Sequence, residues 1–135
     1  MATIGLTKDA GWQAGVRRTV PVDAATVWAY LTGEGLPAWL GKTKLMRAPN
    51  SPYETTEGTH GEIRGWTEQR RIRLTWQPAA WSHDATLQLT LIPAKSNTTI
   101  AFHIERLESA GEREAMLAHW QNVLDRIATE FALTV

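Results

Sequence analysis

Arg71-Ile72-Arg73-Leu74-Thr75-Trp76, Thr86-Leu87-Gln88-Leu89-Thr90-Leu91 and Thr99-Ile100-Ala101-Phe102-His103-Ile104 decide the fold of this chain. In each run polar or small residues alternate with large apolar ones. A strand turns successive side chains to opposite faces, so Ile72, Leu74 and Trp76 share a side, as do Leu87, Leu89 and Leu91, and Ile100, Phe102 and Ile104. Repeated alternation of this kind predicts an antiparallel sheet with one buried and one wet face. Pro93 to Asn97 reads as the hairpin turn between the last two runs.

Working back towards the N-terminus, His60 to Trp66 reads as a further strand, with Gly61, Ile63 and Gly65 on one side. Ala48 to Thr59 is a loop by its Pro, Asn, Ser and Gly content, and Lys42 to Arg47 a short strand. Trp12 to Val20 also alternates, placing Trp12, Ala14, Val16, Arg18 and Val20 on one face. Pro21 ends it, and Asp23 then stands as the N-cap of a helix over Ala24 to Thr32. Gly33-Glu34-Gly35 breaks that helix, and Leu36 to Gly41 forms a second helical turn closed by glycine.

Beyond the sheet runs, Glu112 to Leu133 predicts one long helix. Met116, Trp120, Val123, Ile127 and Phe131 recur at three and four residues, widened by Leu117, Leu124 and Ala128. A stripe that long needs a partner of similar length, and the inner sheet face is the one candidate large enough. The expected architecture is α+β: a curved antiparallel sheet of six to seven strands around a long C-terminal helix, with two short helices after the first strand. The 135 residues suit one domain, with residues 1–11 as a loosely ordered N-terminal segment.

Fourteen basic residues balance fourteen acidic ones, without a run of like charge. That disfavours binding to nucleic acid or an anionic membrane, which requires a concentrated basic footprint. Arg70, Arg71 and Arg73 read as a solvated strand face. The absence of cysteine removes disulfides, thiolate nucleophiles and thiolate metal sites. No basic-then-apolar leader opens the chain, and no apolar run approaches the roughly 20 residues of a membrane span, so a cytoplasmic protein is expected.

Seven tryptophans, from Trp12 to Trp120, are the remaining outlier. A large aromatic buries roughly 150–250 Å², so they either fill a dense core or line an apolar cavity. The cavity reading takes Trp28, Trp39, Trp66, Trp76, Trp81, Met116 and Trp120 as its lining. Arg18 joins them by strand parity, either meeting a ligand carboxylate or carbonyl, or, as a strand-edge arginine, snorkelling to solvent or pairing with an acidic residue. Arg113 stands near the start of the last helix, as an entrance guard or an exposed first-turn residue.

The order and spacing of several stretches resemble the START-like helix-grip superfamily, also called Bet v 1-like. Within it they resemble the group related to the C-terminal domain of the activator of Hsp90 ATPase. The stretches are Gly15 to Pro21 with Val27-Trp28, Trp39-Leu40-Gly41, Gly58 and Gly61, Arg73 to Trp76 with Trp81, Thr98-Thr99-Ile100 leading to His103, and Trp120. The resemblance spans essentially the whole chain. It implies the helix-grip fold and a cavity in which relatives hold lipids, sterols, polyketides or plant hormones, and in which some catalyse cyclisation or dehydration. It also offers a co-chaperone role, although this chain lacks room for the separate N-terminal domain of the eukaryotic co-chaperone.

Three functional readings follow. The first is a binder of a small lipophilic or aromatic molecule, oriented by Arg18, Tyr53 or an indole N–H. The second is an enzyme acting on a polyketide-like or aromatic substrate in the same cavity, which calls for an inward titratable pair that the sequence does not offer. The third is a protein-interaction module with a chaperone-type partner. No catalytic residue, cofactor or metal is expected. His103 falls on the outer face, and Ser82-His83-Asp84 reads as a loop, because a triad is assembled by the fold rather than by adjacency. His60, His83 and His119 show no metal-ligand spacing, and Gly58 and Gly61 lack the lysine of a phosphate loop. Either a monomer or a homodimer is compatible with the sequence.

Overall fold

The alternating runs are strands of a seven-stranded antiparallel sheet, seen in a computed structural model that describes residues 6–7 and 11–133. In chain order the strands are β1 (Leu6–Thr7), β2 (Gly11–Val20), β3 (Pro52–Glu54), β4 (His60–Thr67), β5 (Arg71–Trp76), β6 (Ala85–Ala94) and β7 (Asn97–Leu107). They lie side by side in the order β1-β2-β7-β6-β5-β4-β3. The helices are α1 (Ala24–Leu31) and α2 (Leu36–Trp39) after β2, and the terminal α3 (Ala110–Leu133). This is the α+β helix-grip arrangement expected from the sequence. Of the N-terminal segment expected to be loosely ordered, residues 1–5 and 8–10 lie outside the described residues, while Leu6 and Thr7 pair with Trp12 and Gly11.

Register confirms the parity. Val16 lies opposite Phe102, Leu89 opposite Phe102, and Ile72 opposite Leu89, so one row of apolar side chains crosses four strands. Leu74, Leu87 and Ile104 form the next row, and all three are buried completely. The other face carries Arg73, Gln88, His103 and Glu105, with Arg73 reaching both Gln88 (3.1 Å) and Glu105 (3.2 Å). Lys95 and Ser96 are the two residues between β6 and β7. Lys95 has φ 57°, the left-handed conformation that a two-residue hairpin matching the sheet twist demands.

Two expected elements differ. Residues 42–47 form no strand; the edge strand is β3, within the stretch expected to be loop. Three residues pair there, Tyr53 opposite Gly61 at the centre, and so short an edge leaves no periodicity to read. In β4 the register shifts between Ile63 and Gly65, so Trp66 instead of Gly65 faces the same way as Ile63, opposite Ile72. A bulge adds one residue, and one residue reverses strand parity.

Helix termini follow local chemistry. Asp23 caps α1 by accepting from the Thr26 backbone N–H (3.2 Å) and hydroxyl (2.7 Å). Ser109 caps α3 by accepting from the Glu112 N–H (3.0 Å), while Glu112 accepts in return from the Glu108 N–H (3.0 Å). That reciprocal pair satisfies amide groups that an uncapped helix leaves bare. Trp120, Val123, Leu124, Ile127 and Phe131 on α3 are all buried, each worth roughly 1.5–3 kcal/mol removed from water. α3 lies over β2 and β7, α1 packs on β6 and β7, and α2 abuts α3.

Candidate functional site

Six of the seven tryptophans divide into two groups, and the division locates the site. Trp120, 2% exposed, lies on Phe102 of the sheet with ring centroids 4.8 Å apart. Trp39 of α2 approaches the same phenylalanine at 5.8 Å and donates its N–H to the Leu31 carbonyl at 2.8 Å. The space between sheet and helix at this level is therefore occupied by side chains. Beside it opens a cleft of about 430 Å³ walled by α2, the end of β5 with its following loop, and the middle of α3. Trp39, Leu40, Trp76, Trp81, Met116 and Val123 supply its apolar surface, with His119 in the wall and Glu57 and Arg126 also bordering it.

Trp76 is the hinge of this cluster. Its ring stands 5.2 Å from Trp81 edge-on, 5.4 Å from Trp120 and 6.1 Å from His119. Trp81 is placed by its loop: its backbone N–H donates to the Pro78 carbonyl (2.9 Å), and its carbonyl accepts from Gln77 (2.8 Å). The indole N–H groups of Trp76 and Trp120 are buried and find no hydrogen-bond partner among the described residues. Buried donors are almost always paired, and leaving one unpaired costs on the order of 1–3 kcal/mol.

The second group lies apart. Trp28 and Trp66 meet edge-on at 5.6 Å, and their N–H groups donate to the two oxygens of one carboxylate, Glu68, at 3.0 and 2.9 Å. Hydrogen bonds from Trp66 and Trp28, with Arg47 close by, hold the Glu68 carboxyl below its ordinary pKa. Neither Trp28 nor Trp66 borders the cleft. Of the expected lining, Trp39, Trp76, Trp81 and Met116 are brought together there, and Trp120 lies behind them.

Arg18 faces the helix side, as parity requires, but reaches the sheet rim and pairs with Asp125 of α3 at 2.6 Å, about half exposed. Tyr53 is buried with its hydroxyl donated to the Thr75 carbonyl at 2.6 Å, and that burial pushes its pKa up. Arg113 donates to the Gln13 carbonyl at 2.8 Å, tying α3 to β2. His103 lies on the outer face beside Gln13 (2.8 Å). His83 directs its ring nitrogens to the Asp84 carbonyl and to Glu112 and Glu108 rather than to Ser82.

His119 is a cleft residue that the sequence reading passed over, although it stands three residues after Met116 and four before Val123 on α3. Partial burial against the indoles pulls its pKa below the ordinary imidazole value of 6.5. The unfolded chain therefore binds a proton more readily than the folded one. Stability from this residue is complete above the ordinary value and is lost as pH falls through the lowered one. Urea midpoints measured from pH 7.5 to 5 should fall more steeply for the native chain than for His119→Gln. The difference should be small, because His119 keeps much of its surface in water.

Comparison with known proteins adds a family. The model of the activator of Hsp90 ATPase homolog 1-like protein family matches residues 21–132. The chain belongs to this family. No curated protein matches the sequence. Among solved structures, protein MLL2253 from Mesorhizobium loti superposes with a TM-score of 0.75 at 17% identity, over 91% of this chain and 98% of that one. PFC0360w, an Hsp90 activator from Plasmodium falciparum, gives 0.74 at 16%, over 89% and 96%. DynU16, a protein of the dynemicin biosynthetic locus, gives 0.75 at 16% over 87% of this chain, which spans only 46% of DynU16. At these identities the likeness shows a shared fold.

Proposed function

We propose that this member of the Hsp90-activator-like family binds a small lipophilic molecule carrying a hydrogen-bond acceptor. Its place is the cleft between α2, the loop after β5 and α3. The observation that carries this reading is the unpartnered indole donor of Trp76, which borders an apolar cleft of about 430 Å³, with the unpartnered Trp120 donor behind it. Ligand sites are typically concave and apolar, with a few polar groups fixing orientation. A carbonyl or ether oxygen entering here would satisfy a donor that the protein leaves bare, while the rest of the ligand covers Trp39, Trp81 and Met116. Trp81 is half-buried and loop-borne, so its displacement is the entry route.

Native mass spectrometry of the protein from its own host, with extraction of a denatured aliquot, tests this directly. A stoichiometric lipophilic adduct is expected, and its dissociation constant by tryptophan fluorescence should weaken about tenfold in Trp76→Phe, which removes one N–H. A clean apo mass, with no shift on soaking with diverse lipophiles, would sink the proposal. An enzymatic role for the cleft is the lesser reading, since His119 is the one histidine bordering it. A protein-interaction role draws support from the fold shared with the Plasmodium Hsp90 activator. It predicts Hsp90 ATPase stimulation that survives Trp81→Ala.

A further inference from the structure

His83, in the loop between β5 and β6, meets the start of α3. Its Nε2 stands 2.9 Å from one Glu112 oxygen and 3.0 Å from the other, and 3.2 Å from Glu108 Oε1. Its Nδ1 lies 2.9 Å from the Asp84 backbone carbonyl, which can only accept, so Nδ1 carries a hydrogen. Nε2 then faces two carboxylates, and the Glu108 N–H beside it is already bonded to Glu112, so only a proton or a cation at Nε2 relieves the repulsion. Two nearby arginines are committed elsewhere: Arg106 pairs with Asp84 at 3.0 Å, and Arg113 donates to the Gln13 carbonyl.

We propose that His83, Glu108 and Glu112 form a binding site for a divalent first-row metal ion of the zinc type. One imidazole nitrogen and two carboxylates are the mixed nitrogen and oxygen donors such ions take. The three ligand groups lie within 4.8 Å of one another. Tetrahedral bonds of about 2.0–2.2 Å place neighbouring ligand atoms about 3.4 Å apart, so side-chain shifts of a few tenths of an ångström at Glu108 and Glu112 would bring the set to coordinating distance. The Asp84 carbonyl supplies the outer hydrogen bond that commonly fixes the tautomer of a metal-ligating histidine. A divalent ion neutralises both carboxylates, whereas a proton on His83 neutralises one. The Glu108 side chain is 62% exposed, leaving the outer side open for water to complete the coordination shell.

The metal would fasten residues 83–84 to the N-terminal turn of α3. Trp81 stacks on the His83 ring, centroids 4.8 Å apart and planes 25° from parallel. A metal at His83 therefore stiffens the loop that carries one wall of the cleft. The site stands on its own geometry and holds whether or not a lipophile occupies the cleft.

The test is calorimetric titration of the tag-free, chelator-stripped full chain with zinc chloride. Cobalt(II) absorption provides a second readout of coordination. One equivalent of zinc should bind, with affinity at least about tenfold weaker in His83→Gln and in Glu108→Gln. Glu108→Gln alters an exposed side chain whose contact is with His83, so the fold survives in that variant even if Glu112→Gln loses the helix cap. Absence of saturable one-to-one zinc binding overturns the proposal, as does binding unchanged in both variants. The cluster would then be an imidazolium held between two carboxylates.

Discussion

Trp120→Ala is expected to lower the stability of the chain by about 3–5 kcal/mol, the usual cost of removing a large buried aromatic. Trp120 is 2% exposed, lies on Phe102 at 4.8 Å and contacts Trp76 and His119 at 5.4 and 4.8 Å. Its indole joins the terminal helix to the centre of the sheet, so truncation leaves a void that neighbouring aromatic rings are too rigid to fill. Against a typical domain stability of about 5–15 kcal/mol, the loss is a large fraction. Urea unfolding should show it as a lower midpoint at unchanged slope. Trp120→Phe should cost less than half as much, because the ring contact is kept in part and an unpartnered buried N–H disappears. A loss below about 1 kcal/mol in Trp120→Ala would mean that α3 is held by other side chains of its stripe.

Gly61→Ala is the second large effect. A Cβ on Gly61 would stand 2.0 Å from the Thr75 carbonyl oxygen and 2.8 Å from the Thr75 hydroxyl. Neither obstacle yields easily. The carbonyl accepts from the buried Tyr53 hydroxyl at 2.6 Å, and the Thr75 hydroxyl accepts from the Glu62 N–H at 2.9 Å. The methyl must push β4 away from β5 and disturb both bonds, at about 1–3 kcal/mol for the overpacking and about 0.5–1.5 kcal/mol for each bond lost. Gly65→Ala in the same strand is the control. Its nearest atom is Arg73 Cβ at 3.9 Å, an ordinary contact, so the change should be within about 1 kcal/mol of neutral. Equal midpoints for the two variants would show that β4 can shift without penalty.

The difference between those two glycines was not legible in the sequence, where Gly61, Ile63 and Gly65 share one strand face by parity. The bulge between Ile63 and Gly65 separates them. Alternation within β4 does not encode that shift, because it appears only in the pairing with β5. The same holds for β3, whose three residues are a strand only because β4 offers them an edge.

The candidate site was legible in kind and not in membership. Period two placed Trp76 inward, and the helical stripe placed Met116 and Trp120 on one face of α3. Those assignments need only local geometry, and they put three aromatic or sulfur side chains in one neighbourhood. Nothing local distinguishes Trp76, which borders the cleft, from Trp66, whose N–H is taken up by Glu68. Nor does spacing reveal that Arg18 finds Asp125 across 107 residues, or that His83 finds Glu112 across 29.

By itself the sequence determined the α+β class, the buried and wet faces of β5, β6 and β7, the Asp23 cap and the apolar stripe of α3. Each follows from a repeat of two or of three to four residues, or from a side chain bonding backbone within three residues, and such features are complete in a short window. The tertiary structure alone decided which tryptophans share a cleft, which indole donors are left bare, and which charges and histidines meet. Those outcomes depend on strand register, a bulge and the seating of one long helix. They are set by packing the whole chain at once, because each buried group must find space and a partner among residues far away in sequence.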